Sequence, residues 1–208
     1  MKLRALATLS ALFLTACGRQ QPEEAAKPQP AQPPDVYRVE FETTKGAVTV
    51  EVTRAWAPRG ADRFYELVQK HFYDGARFFR VVPRFVVQFG LKGEPAADRL
   101  WSQMTIPDDP VTQNNLRGTL SFAMAGPASR TAQVFINLKD NTNLDGMGFA
   151  PFGKVVTGIE VVDQFFKGYG DAPPGGVGPD QGRIRQEGNQ YLERFFPRLD
   201  YIKTAKVL

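Results

Sequence analysis

The chain has 208 residues, of which 42% are hydrophobic and 23% are charged, a balance typical of a folded protein. It contains one Cys and one His, which excludes an intramolecular disulfide and zinc sites of the Cys₂His₂ or Cys₄ type. The formal net charge of +4 is compatible with a nucleic-acid or membrane partner. Such a partner would also require the basic residues to be clustered in the sequence.

The first 16 residues differ in composition from the rest of the chain. Lys2 and Arg4 precede an uncharged apolar run over 5–14, which is shorter than the ~20 residues of a spanning helix and typical of an export signal. The run ends in Leu-Thr-Ala-Cys at Cys17, which resembles a bacterial lipobox, where the leader is cut before a Cys that receives a lipid. We expect a removed lipoprotein signal peptide over 1–16 and a lipid anchor on Cys17. The alternative is an ordinary signal peptide with a chance Cys.

A segment rich in proline follows this Cys. Residues 18–35 hold five prolines and no large apolar side chain, so this stretch cannot form a core. In a partly extended polyproline conformation it would reach roughly 50 Å. We expect 17–35 to be a lipid-anchored tether that holds a domain outside the cytoplasm at a bacterial membrane. The alternative is a Pro-rich ligand of a recognition module.

The pattern from residue 36 onward predicts mainly β-structure. Apolar residues alternate on both sides of a Lys45-Gly46 turn, which predicts a hairpin, and Pro58 starts a run with helical spacing up to about residue 70. Many short strands with few helices predict a closed antiparallel barrel or a sandwich. The later predicted elements are strands at 78–82, 85–89, 119–125, 133–138, 152–156 and 201–207, helices at 159–166 and 183–196, and a Gly/Pro loop at 168–182.

Two motifs resemble ligand sites but lack an essential residue. The run from Gly148 to Lys154 nearly spells a phosphate-binding loop, but Val155 stands where a Ser or Thr would hold magnesium. Residues 141–146 resemble the start of a calcium loop, but Phe152 stands where a bidentate Glu is needed. We therefore predict a tight turn at 141–146 and no metal site.

The basic residues do not form a nucleic-acid patch. Most are interspersed with acidic residues, and the cluster of Arg77, Arg80 and Arg84 lies around apolar runs without an RNA-binding signature. We expect no nucleic-acid partner.

Arg80 lies among aromatic and β-branched residues. If the two apolar runs around Pro83 are adjacent strands, Arg80 comes close to Gln88 and Phe85. An arginine on an apolar concave surface is costly unless it is paired or used, and the alternative is a surface arginine whose stem covers a Phe. The run Phe-x-Arg-Val-Val-Pro-x-Phe-Val-x-Gln over 78–88 resembles the signature of the cyclophilin-type peptidyl-prolyl cis-trans isomerases.

Further blocks agree with this family in order and spacing. They lie at 72–75, 117–125, 133–136, 144–146 and 152–155, so the resemblance extends over essentially 36–208. It implies a mainly β fold, a closed eight-stranded antiparallel barrel with two capping helices, here with an additional helix near 183–196. It also implies that 36–208 is an isomerase domain, with no cofactor and no metal.

The resemblance implies a role for Arg80. Rotation of an X-Pro bond faces a barrier of ~18–20 kcal/mol from amide resonance. In the twisted transition state the proline nitrogen regains a lone pair, to which Arg80 would donate a hydrogen bond, so Arg80 is the expected catalytic residue. The expected substrate-binding residues are Phe85, Val86, Phe135 and Leu144 in a proline pocket, Gln88 as a positioning residue, Ala123, Met124 and Gln133 in the adjoining groove, and Phe79 and Phe149 at positions that depart from the family pattern.

The predicted function is therefore isomerisation of X-Pro bonds during folding of exported proteins. We expect proline-containing polypeptides as partners, attachment to a membrane through Cys17, and a monomer. The alternative is a proline-peptide-binding module or holdase chaperone that uses the same groove without turnover.

Overall fold

The protein is described here by a computed structural model, over residues 32–208. The predictions for Cys17, for residues 1–16 and for most of the tether lie outside the described residues. The strands of the described part are β1 (Val36–Thr43), β2 (Ala47–Thr53), β3 (Arg80–Val82), β4 (Val86–Phe89), β5 (Thr119–Phe122), β6 (Val134–Asn137), β7 (Pro151–Thr157) and β8 (Ile202–Val207). The α-helices of the same part are α1 (Pro58–Gln69), α2 (Pro95–Ser102), α3 (Ile159–Val162), α4 (Gln181–Glu187) and α5 (Asn189–Phe195). None of these helices is long and apolar enough to cross a membrane.

The eight strands form one antiparallel sheet in the order β3-β4-β6-β5-β7-β2-β1-β8. The predicted hairpin is confirmed, with Tyr37 opposite Val52 and Phe41 opposite Val48. Alternate residues of β1 and β2 are buried on the concave side of the sheet, as the period-two pattern predicts. The predicted strands appear at their expected places, within a few residues of the predicted limits.

The prediction of a closed barrel is wrong, because the sheet is a curled half-barrel that stays open between β3 and β8. Only one bridge, from Arg77 to Tyr201, joins the segments that precede these two strands. The two hydrogen bonds of this bridge run from the Phe78 N–H to the Asp200 carbonyl at 2.9 Å and from the Ile202 N–H to the Ala76 carbonyl at 3.0 Å. With three residues, β3 is too short to continue this contact into a ladder, so its pairing is confined to β4.

The main core lies between the concave face of the sheet and α1. Pro58 occupies the first turn of α1, where its missing N–H costs nothing. Phe64 on this helix is buried between Phe41 of β1 and Phe152 of β7, with ring centroids 6.2 and 5.0 Å away. This aromatic packing holds α1 against β1 and β7 of the sheet that also contains β3, β4 and β6, on which the candidate site is built.

The single helix predicted near 183–196 is instead two helices, α4 and α5. They are separated at Gly188, which has φ +67° and lies so close to Gly93 that a Cβ would be 2.4 Å from the Gly93 carbonyl oxygen. A residue with a side chain would be strained there, so the chain turns at a glycine. Helix α2 was not predicted at all, although Pro95 at its first turn is a recognisable start signal.

Candidate active site

The pairing of β3 with β4 places Arg80 directly opposite Gln88, as the sequence predicted. The Arg80 Nη1 donates to Gln88 Oε1 at 3.2 Å, and Gln88 Nε2 donates to Gln133 Oε1 at 2.8 Å. Gln133 precedes β6, the neighbour of β4 in the sheet. The hydrogen bonds therefore form a chain across neighbouring strands that ends on the arginine.

An apolar pocket of about 160 Å³ opens beside this chain. Val86, Phe135 and Leu144 form its buried base, and Phe85, Ala123 and Phe149 pack against them. Nine of the residues predicted for the site line the pocket: Arg80, Phe85, Val86, Gln88, Ala123, Met124, Phe135, Leu144 and Phe149.

Arg80 lies at the edge of this pocket. The centre of its guanidinium is 5.5 Å from the centroid of the Phe85 ring, close enough for a cation–π interaction. Its side chain is 23% exposed, so the group is neither sealed in the interior nor free in solvent. The site thus combines an apolar cavity with a permanently charged hydrogen-bond donor at its rim.

Asp171, which the sequence analysis did not single out, forms a bidentate ion pair with Arg80. Nε donates to Oδ1 at 2.9 Å, and Nη2 donates to Oδ2 at 2.7 Å. These hydrogen bonds lower the pKa of the Asp171 carboxyl below its ordinary value, against the opposing effect of burial. Asp171 lies 91 residues from Arg80 in the Gly/Pro loop before α4, so no local pattern could have indicated the contact.

Two predicted site residues lie outside the pocket lining. Gln133 contacts two residues of the lining, since its side chain accepts from Gln88, as described above, and its carbonyl accepts from the Ala123 N–H at 2.9 Å. The structure does not bring Phe79, an expected substrate-binding residue, to the pocket lining, because Phe79 and Phe78 point to opposite faces of the chain. Phe78 stacks on Phe165 in the main core, with centroids 4.0 Å apart. Phe79 is 2% exposed and belongs to a second core, with Leu91, Ile184, Tyr191, Leu192 and Leu199, beneath α4 and α5.

Three buried asparagines support the pocket walls from behind. Asn141 Nδ2 donates to the Phe85 carbonyl at 2.9 Å and to Asn137 Oδ1 at 2.8 Å. Asn115 Nδ2 donates to the Phe149 carbonyl at 2.8 Å, and its Oδ1 accepts from Asn137 Nδ2 at 3.1 Å. A buried and well-connected amide network fixes the backbone it touches, so it holds Phe85 and Phe149 at set positions.

The segments that resembled ligand loops are structural. Asn141 precedes a 3₁₀ helix, Thr142–Met147, and Asp145 Oδ1 in this turn accepts hydrogen bonds from the backbone N–H and the side-chain amide of Asn115. Gly153 and Lys154 lie within β7. Over residues 32–208, no three His, Cys, Asp or Glu side chains are grouped so that they could hold a metal ion.

The family model described as "Cyclophilin type peptidyl-prolyl cis-trans isomerase/CLD" matches residues 38–180 of the chain. This match includes the pocket and Asp171 but ends before α4, whereas the sequence resemblance was expected to extend to residue 208. The chain therefore belongs to the cyclophilin-type family, and it is a peptidyl-prolyl cis-trans isomerase.

Individual relatives and structures agree with this assignment. The peptidyl-prolyl cis-trans isomerase of Acinetobacter baylyi is 35% identical over 131 residues, which span 61% of this chain and 70% of that protein. Peptidyl-prolyl cis-trans isomerase A of Dickeya dadantii is 35% identical over 127 residues, spanning 59% of this chain and 67% of that protein. The fold resembles a crystal structure of a cyclophilin type isomerase from Cryptosporidium parvum, with a TM-score of 0.61 and 18% identity, covering 83% of this chain and 98% of that one. A second crystal structure of that C. parvum protein was determined in the presence of the dipeptide Ala-Pro.

Proposed function

We propose that Arg80 is the catalytic group and that it acts on an X-Pro bond whose proline ring occupies the apolar pocket. In the planar amide the nitrogen lone pair is delocalised, and it becomes available only as the bond twists. A donor held beside that nitrogen stabilises the transition state more than the ground state. The position of the Arg80 guanidinium at the rim of a small apolar pocket is the observation that supports this proposal.

The pocket has the chemistry that a proline ring requires. Its walls are aromatic and aliphatic, and they would remove the apolar ring from water without leaving a buried polar group unpaired. Binding of a proline-containing peptide here is consistent with the Ala-Pro dipeptide used with the C. parvum protein.

Replacement of Arg80 by Ala tests this role. We expect kcat/KM to fall by roughly 30- to 1,000-fold, equivalent to about 2–4 kcal/mol, because the transition state loses its charged donor. Exchange NMR on a short Ala-Pro peptide with the purified protein measures the rate directly.

Arg38→Ala is the matched control. Arg38 on β1 also pairs with a carboxylate, that of Glu51 on β2, but neither residue lines the pocket. The Arg38→Ala variant should keep the parent rate within about twofold. An unchanged rate in Arg80→Ala would refute the catalytic role. No turnover by the parent protein would instead support a binding module or holdase.

We further propose that the isomerase acts as a monomer on exported proteins, outside the cytoplasm, from a lipid anchor on Cys17. The support for the anchor and the location is the sequence alone: a short apolar leader, a Leu-Thr-Ala-Cys run ending at Cys17, and a Pro-rich segment long enough to separate the domain from a membrane. Proteins crossing a membrane arrive unfolded, and slow X-Pro isomerisation limits the folding of many such chains.

Cys17→Ser tests the anchor. The substitution should abolish incorporation of radiolabelled palmitate in bacterial cells and should release the protein into the soluble extracytoplasmic fraction. The parent chain, labelled in parallel, is the control. Palmitate labelling that survives the substitution would refute the anchor without affecting the proposed role of Arg80.

A further inference from the structure

We infer that Asp171 is a positioning residue for catalysis, which holds the Arg80 guanidinium in the orientation that faces substrate. This inference rests on the catalytic role proposed for Arg80. The bidentate pair of 2.9 and 2.7 Å fixes the plane of the guanidinium, because two parallel N–H···O bonds prevent rotation about a single contact. Gln88 fixes the opposite side through Nη1.

The loop around Asp171, residues 168–180, is folded so that it holds this residue in place. The Asp171 carbonyl oxygen accepts a hydrogen bond of 2.7 Å from the Gly178 N–H, and the Val177 N–H donates to the Tyr169 carbonyl at 3.1 Å. A Cβ on Gly176 or Gly178 would lie 2.4 or 2.8 Å from the same Asp171 oxygen, so only glycine fits at this close approach. The Asp171 backbone is therefore constrained on one side, while its carboxylate is directed at Arg80.

The pair leaves part of the guanidinium available to substrate. Arginine has five N–H donors, of which Asp171 takes one on Nε and one on Nη2, and Gln88 takes one on Nη1. One N–H on each Nη atom has no hydrogen-bond partner among the residues that the structure describes. Asp171 thus orients the guanidinium while the two remaining N–H groups of Arg80 stay available to a substrate.

The opposite role for Asp171 would be inhibition, in which the carboxylate blocks the arginine and substrate has to displace it. The two roles predict that removal of the Asp171 carboxylate changes kcat/KM in opposite directions. Loss of a positioning residue lowers kcat, because the donor is no longer held where charge develops, and leaves KM nearly unchanged, because the apolar pocket is intact. Loss of an inhibitory residue raises kcat/KM.

Asp171→Asn in the purified full chain tests the inference by exchange NMR over a range of Ala-Pro peptide concentrations. We expect kcat to fall about 5- to 30-fold with KM changed less than about twofold. Asp163→Asn is the matched control, since it removes an exposed aspartate paired with Arg117 outside the pocket and should leave both constants unchanged. Gly176→Ala, which displaces the Asp171 backbone, should lower kcat in the same direction as Asp171→Asn.

Two further measurements separate positioning from a structural effect. In the Arg80→Ala background, Asp171→Asn should have no additional effect on the rate, because its whole contribution passes through Arg80. The Arg80 Nε–H resonance in a ¹⁵N–¹H spectrum should shift on Asp171→Asn and should stay in place in the Asp163→Asn control. These two results together would support a role through the arginine.

An unchanged or increased kcat in a folded Asp171→Asn variant would overturn the inference, as would an equal loss in the Arg80→Ala background. If Asp171→Asn does not fold, kcat and the Arg80 Nε–H resonance are measured in Gly176→Ala instead. An unchanged or increased kcat in that folded variant would likewise overturn the inference. The proposed function fails separately, when Arg80→Ala itself has no effect on the rate.

Discussion

Two arginine–aspartate pairs in the domain have similar chemistry and different surroundings. Arg80 and Asp171 have side chains 23% and 34% exposed and lie at the rim of the pocket. Arg130 and Asp109 have side chains 2% and 0% exposed and lie in the interior. The two pairs show that a charged pair has to be assigned a role from its environment as well as from its geometry.

The interior pair connects parts of the backbone. Both Nη atoms of Arg130 lie 3.1 Å from Asp109 Oδ2, and Nη2 also donates to the Pro107 carbonyl. The Asp109 carboxylate in turn accepts the backbone N–H groups of Arg59 and Gly60, in the first turn of α1. Arg130 therefore stabilises the start of a helix and a long loop, whereas Arg80 contacts Asp171 in a loop, Gln88 on β4 and the open pocket.

The largest difference between the two pairs is expected in the unfolding free energy of the Arg130→Met variant. Removing the guanidinium leaves the Asp109 carboxylate buried without its main counter-charge, which costs about 3–5 kcal/mol of unfolding free energy. That cost is a large part of the 5–15 kcal/mol that typically stabilises a domain. Urea denaturation of the purified variant and of the parent protein measures the loss.

Arg117→Met is the control for this prediction, because Arg117 and Asp163 form an exposed pair with side chains 40% and 46% exposed. The Arg117→Met variant should lose less than about 1 kcal/mol of unfolding free energy. The folded fraction of Arg130→Met should keep its kcat, since Arg130 does not line the pocket. A stable Arg130→Met with reduced kcat would reverse the roles assigned to the two pairs.

The sequence predicted the contacts of Arg80 with residues near it in the chain and missed its contact with Asp171. Arg80, Gln88 and Phe85 lie within nine residues, so strand alternation and the family resemblance brought them together correctly. Asp171 lies in a loop whose Gly and Pro content indicates only irregular structure, and its contact depends on the whole sheet being formed. Arg130, among small and polar residues at 127–133, gave no sign that it would be buried.

The errors in the fold also arose from contacts distant in sequence. The apolar run at 78–82 indicated a strand, which the structure has over Arg80–Val82, but it could not indicate what would cover each face. Phe79, which was expected among the substrate-binding residues, is buried under α4 and α5. The break between these helices at Gly188 follows from the approach of Gly93, which no pattern within 183–196 reveals.

The smallest effect that distinguishes the two pairs is the contribution of Asp171 to the pH dependence of the unfolding free energy. Its pKa is lowered from the ordinary value of 3.8, chiefly because Arg80 donates hydrogen bonds to the ionised carboxylate. A lower pKa in the folded than in the unfolded state means that the pair stabilises the fold at higher pH and ceases to do so as the pH falls through the folded-state pKa. At pH 7, Asp171→Asn should therefore lose no more than about 1 kcal/mol, as expected for a partly exposed pair.

Urea denaturation of the parent and of Asp171→Asn, in a pH series from 7 down to about 3, measures this response. The difference in unfolding free energy should stay constant while the pH is well above 3.8 and should shrink as the pH falls below it. The same comparison in the Arg80→Ala background is the control and should show a smaller change, since the main cause of the lowered pKa is absent and only the Ala172 N–H still donates to the carboxylate. A difference that grows on acidification would mean that the Asp171 carboxylate is destabilised in the folded protein. The Arg80 pair would then resemble a strained contact at the pocket, in contrast to the stabilising pair in the interior.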